Sequence, residues 1–137
     1  MNSNSTDAGV LVGIRKGTAP AAVAAGTRNS VGIDRLGFDS GVLIAQTGAA
    51  TGTPTTLTLA AKIQESADGT TGWADIAGAV IDPLTAENSV ARVNLRLPTA
   101  KRFLRVVETV GFTGGTSPTL GASSAFVLCG PDEIPAV

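Results

Sequence analysis

From Thr56 to Gln64 the chain keeps a period of two, with Leu57, Leu59, Ala61 and Ile63 on one side and Thr56, Thr58, Lys62 and Gln64 on the other. That period belongs to a β-strand with one dry and one wet face, because successive side chains of a pleated strand point to opposite sides. The pattern returns at Ala91, Val93, Leu95 and Leu97, with Arg92, Asn94 and Arg96 between them, and Pro98 ends it. Two further runs, Phe103–Val110 and Ser124–Cys129, are apolar on both sides and read as central strands. Gly9–Ile14 has strand length, and Val31–Gln46 holds two apolar runs parted by Asp39-Ser40-Gly41, a turn or a bulge. Thr18–Ser30 is alanine-rich, yet Pro20, Gly26 and the lack of large residues at helical spacing make it extended chain. Gly48–Pro54 and Gly111–Gly121 read as loops. Strands recurring at this spacing, with Gly, Asp and Pro between them, specify an all-β single-domain sandwich, jelly-roll-like, over residues 9–137 behind a polar N-terminal arm, residues 1–8. Its core is expected to hold Leu57, Leu59, Ile63, Val93, Leu95, Leu104, Val106 and Val127.

Composition sets the character of that core and narrows the chemistry. Alanine (21), glycine (17) and threonine (17) make up much of the 137 residues, whereas Val, Leu, Ile, Phe, Met and Trp together number only 37, so the core is thin and aliphatic. A chain of this length still buries enough surface to fold without a disulfide or metal. There is no His, no Tyr and one Cys, which removes most side chains that act as acid, base, nucleophile or metal ligand near neutral pH and argues against an enzyme. Ten Lys and Arg against eleven Asp and Glu give a net charge of −1, too little positive field to hold nucleic acid. Near-zero charge with a mean hydropathy of +0.27 suits an assembled state. The polar opening Met1–Asp7 lacks the basic and apolar regions of a secretory signal, so synthesis in the cytoplasm is expected, and no apolar stretch has the length of a membrane helix.

The individual motifs read as structure. Cys129, within Phe126-Val-Leu-Cys-Gly, is a small hydrophobe, since no His is present to activate it. Asp68-Gly69 is a turn, because the alternating carboxylates of a calcium loop are missing. Trp73, the only Trp, is expected to fill core volume rather than form a sugar-stacking platform. Arg102 and Arg105 are expected to pair with Glu108 or Asp75, or across a subunit boundary. Gly13–Gly17 and Gly111–Gly115 lack the spacing of phosphate-binding loops.

The run Lys62-Ile-Gln-Glu-Ser-Ala-Asp-Gly-Thr-Thr-Gly-Trp-Ala-Asp-Ile76, then Lys101-Arg-Phe-Leu-Arg-Val-Val107 and the closing Val127-Leu-Cys-Gly130, resembles small tailed-phage structural proteins. Ile33–Ile44 followed by the Gly/Thr stretch Gly48–Pro54 extends the likeness over residues 31–130. The resemblance implies a capsid decoration, or cement, protein: a β-sandwich that trimerises on the capsid exterior and binds the major capsid protein, with no cofactor. A tail or neck component comes from the same inventory. The Ser-x-Asp-Gly turn, Trp73 and the later Arg102-Phe-Leu-Arg105 also resemble discoidin-like, galactose-binding jelly rolls, although a signal, His and Tyr are missing. Under the capsid reading, the N-terminal arm and the apolar run after it are expected to attach the subunit, through Asn2, Asn4, Asp7, Val10, Val12, Arg15 and Lys16.

Overall fold

The structure, a computed structural model, describes residues 7–132. A single 3-10 turn, Ala8–Leu11, leads into ten strands: β1 Val12–Lys16, β2 Ala21–Val23, β3 Gly26–Asn29, β4 Ile33–Asp34, β5 Phe38–Thr51, β6 Thr56–Ser66, β7 Ala74–Val80, β8 Val90–Arg96, β9 Phe103–Thr113 and β10 Thr119–Pro131. They form two antiparallel sheets. The first has the order β1-β10-β5-β8, with β2 also beside β10; the second has the order β3-β9-β6-β7, with β4 also beside β9. With the short β2 and β4 set aside, the first strand pairs with the last (β1 with β10), the next inward β3 with β9, then β5 with β8, and finally β6 with β7. A chain doubled back on itself in this way and rolled into two four-stranded layers is a jelly roll.

The core lies between the sheets. Leu43, Leu95, Leu97, Leu120, Phe126 and Leu128 of the first sheet meet Leu59, Ile63, Leu104, Val106 and Val110 of the second. The alternation of β6 decides its faces as expected: Leu59 and Ile63 are fully buried, and Leu57 packs against the cluster from its edge. Leu95, Leu104 and Val106 are likewise inside, with Val93 half-buried against them. Val127 is a correction. Phe126 and Leu128 are fully buried, and Val127 between them is only half-buried and faces outward. A run that is apolar on both sides does not reveal its inner face; the larger Phe126 settles it by filling the space above Gly41. A Cβ at Gly41 would come within 2.5 Å of the Phe126 ring, so this glycine serves packing.

The strands run further than the turn-forming residues suggest. Asp39-Ser40-Gly41 is neither a turn nor a break but part of the continuous β5. The turn lies earlier, at Arg35–Gly37, where Asp34 Oδ1 accepts the Leu36 N–H and Phe38 N–H donates to the Arg35 carbonyl. Gly48–Thr51 and Gly111–Thr113 are also strand rather than loop. Facing threonines extend the ladders at their ends, Thr51 with Thr119 and Thr56 with Thr113, each pair joined hydroxyl to hydroxyl at 2.5 Å.

Candidate functional site

The first sheet has its inner face in the core and nothing packed on its outer face among the described residues. Register places the outward side chains in rows across the sheet. Ile14 of β1, Val127 of β10, Val42 of β5 and Asn94 of β8 form one row. Lys16, Ala125, Ile44 and Arg92 form the next, and Val12, Cys129, Ser40 and Arg96 the row on the other side. Beyond the second row, Ser123 and Gln46, joined by a 2.9 Å hydrogen bond, lead to Val90. The centre of this face is therefore aliphatic, with Ile14 70% and Val90 66% exposed at its margins. A shallow groove of about 440 Å³ crosses it between Ile14, Lys16, Pro20, Ile44, Gln46 and Ala125. Burial raises the Cys129 thiol above its ordinary value, so at neutral pH it stays protonated and contributes surface rather than reactivity.

The residues expected to attach the subunit separate when the chain folds. Asn2 and Asn4 lie outside the described residues. Asp7 caps the 3-10 turn, its Oδ1 accepting the Gly9 N–H at 3.0 Å, and Val10 belongs to that turn rather than to a strand. The strand begins only at Val12. Val12 and Lys16 reach the outer face with Ile14, whereas Arg15 points to the opposite side and lies over the Phe38 ring at 5.9 Å. Strand alternation divides a contiguous stretch between two faces. Ile44, Arg92, Arg96 and Val127 join Val12 and Lys16 instead, from strands far away in sequence. The outward residues of the amphipathic β8 were legible as exposed cations; what they stand beside was not.

Beneath the edge of this face, buried polar groups bridge the two sheets. Between β1 and β2 the chain dips inward, and Thr18, 3% exposed, donates from Oγ1 to Glu108 Oε2 of β9 at 2.6 Å. The same hydroxyl lies 2.7 Å from Ser124 Oγ of β10, which also accepts the Thr18 N–H. Glu108 is fully buried, and Arg28 of β3 donates from Nε to its Oε1 and from Nη2 to the Ala122 carbonyl. Every partner of the carboxylate is thus supplied by an edge segment, so one side chain anchors both Thr18 and β3. Sequence reasoning assigned Glu108 to Arg102 or Arg105, and both pairings are corrected. Arg102 pairs with Asp34, holding its carboxyl below the ordinary range, and Arg105 donates to Gln64 Oε1. Asp75 pairs with Lys62 at 2.9 Å. The hint available in the sequence was a carboxylate on the inward parity of β9, in step with Leu104 and Val106.

Trp73 is a further correction. It sits half-buried just before β7 with the Arg105 guanidinium 4.5 Å from its ring, on the outside of the second sheet rather than in the core. The preceding turn is built as expected: Asp68 Oδ1 accepts the N–H groups of Thr70 and Thr71, and Gly69 takes φ +78°. These bonds to the ionised form hold the Asp68 carboxyl far below its ordinary value. Among the described residues, no three His, Cys, Asp or Glu side chains stand close enough to hold a metal, and no helix is long and apolar enough to cross a membrane.

The outer architecture defines an antiparallel jelly-roll sandwich with one open, apolar sheet face. No protein-family profile and no curated protein sequence matches the chain. Solved structures do. The PBSX exported protein XepA superposes with a TM-score of 0.57 at 18% identity, over 99% of this chain and 42% of that one. The structure of infectious bursal disease virus, Gx strain, gives 0.51 at 16% identity, over 90% of this chain and 35% of that one. At these identities the likeness is one of fold, and this chain spans less than half the length of either protein.

Proposed function

We propose that this protein is a non-enzymatic structural component of a tailed-phage virion that attaches to the major capsid protein lattice through the outer face of the first sheet, on the capsid exterior and as a homotrimer. The observation that carries the reading is the aliphatic surface formed by Val12, Ile14, Val42, Ile44 and Val127, left in water by the isolated subunit. Covering such a patch on a lattice removes apolar area from water, at about 25 cal/mol per Å². The fold shared with XepA and with a viral particle protein agrees with this role. The motif resemblance between residues 31 and 130 supplies the tailed-phage setting. In this arrangement Val12 and Lys16 touch the lattice directly, and Asp7 and Val10 hold the approach to β1.

The test is co-sedimentation of purified protein with phage capsids assembled without it, followed by electron cryo-microscopy of the product. Ordered density on the shell exterior with the first sheet facing the lattice is the expected result. Density at the tail or neck, or saturable binding to galactosides with none to capsids, refutes it. Multi-angle light scattering and the symmetry of the bound density test the trimer.

A further inference from the structure

The rows of the attachment surface carry cations alone, with the exposed Asp39 standing beside Ser40 at the start of β5. Lys16 and Arg92 close the two ends of a single row, about 14 Å apart at the usual strand spacing. Arg96 stands two residues along β8 from Asn94, on the same side. All three are exposed. Among the described residues none forms an ion pair, whereas Lys62 of β6 and Arg102, just before β9, are each bonded to a carboxylate. The outward positions of β1, β10, β5 and β8 that make up these rows contain no Asp or Glu, although the chain has eleven acidic residues. An electrically mixed surface would interleave the two signs. Here the cations flank an aliphatic centre and have no ion-pair partner among the described residues.

From this we infer that the outer face of the first sheet docks on a protein surface that presents carboxylates around an apolar centre, with Lys16, Arg92 and Arg96 as the cations that choose it. The inference rests on the attachment surface assigned above and names the chemistry of its partner. A second copy of the same face is the wrong occupant, because it would set cations against cations and repeat the unmet charge. A phosphate backbone fits no better: three separated cations around aliphatic side chains give no continuous track, and the apolar centre would remain wet. Opposite charge at the rim steers encounter and fixes register, and apolar contact at the centre supplies the buried area.

The experiment compares wild-type protein with R92E/R96E and R92K/R96K for binding to capsids assembled without it, at 50 and 300 mM salt. Both arginines are exposed and outside the core, so unchanged melting midpoints certify the variants as folded. Expected are weaker wild-type binding at the higher salt, a loss of about tenfold or more for R92E/R96E, and near-wild-type binding for R92K/R96K. Binding by R92E/R96E equal to wild type overturns the inference while leaving capsid attachment standing. If wild-type protein does not bind capsids, the attachment reading fails, and immobilised poly-L-glutamate and duplex DNA decide the inference alone. Retention on poly-L-glutamate that R92E/R96E abolishes supports it. Absence of retention there, stronger retention on DNA, or a self-association that R92E/R96E dissolves overturns it.

Discussion

Replacing Glu108 by alanine tests the bridge beneath the edge of the first sheet. The carboxylate is fully buried and accepts from both Thr18 Oγ1 and Arg28 Nε. Its removal leaves Arg28, with only 25% of its side chain exposed, beside a polar hydroxyl and an empty volume. Breaking a buried pair from one side costs about 3–5 kcal/mol, and the lower end applies because Arg28 keeps its bond to the Ala122 carbonyl and some solvent. Unfolding entropy of about 2.1 cal/mol/K per residue gives this 137-residue chain about 0.3 kcal/mol/K, so 3 kcal/mol lowers the melting midpoint by about 10 °C. Urea unfolding of wild type, E108A, R28A and E108A/R28A, followed by circular dichroism, measures each loss. The double variant should lose less than the two single losses summed, since deleting Arg28 removes the charge that E108A strands. A loss below about 1 kcal/mol for E108A, or strict additivity, would refute the claim that this side chain joins the two sheets.

Three further outcomes follow from the same structure. Phe126→Ala should cost about 3–5 kcal/mol, and Val127→Ala much less, because only Phe126 is fully buried; equal losses in denaturant titration would place both in the core. Gly41→Val should destabilise by at least about 1–3 kcal/mol, since its Cβ would meet the Phe126 ring, and pairing it with Phe126→Ala should recover part of that loss; no recovery would deny the close contact. Carboxyl titration followed by NMR should find Asp68 ionised far below, and Asp34 below, the usual Asp value of about 3.9. Because both are depressed in the folded state, the stability they contribute is complete above that value and fades as pH falls through the folded titration; an ordinary titration in either would remove its contribution to acid sensitivity.

The class of fold and much of its interior are legible in the order of residues. Alternation in Thr56–Gln64 and Ala91–Leu97 is a local property of the strand, and one dry face follows from it without knowledge of any neighbour. The Asp68-Gly69 turn was equally legible, because its hydrogen bonds close within a few residues. Whatever depends on which strands become neighbours emerges only once the chain is folded. Val127 and Phe126 are both apolar, and only the space above Gly41 shows which one goes inside. Glu108 finds Arg28 and Thr18, 80 and 90 residues away in the chain, because β3 and the segment between β1 and β2 close over it. The proposed attachment surface is of the same kind. Lys16 and Arg92 come from opposite parts of the sequence and are brought into one row by the pairing of β1, β10, β5 and β8. Side-chain period is written along a single strand, whereas strand order is fixed by the long-range burial that rolls the whole chain, and the surface is a product of that order.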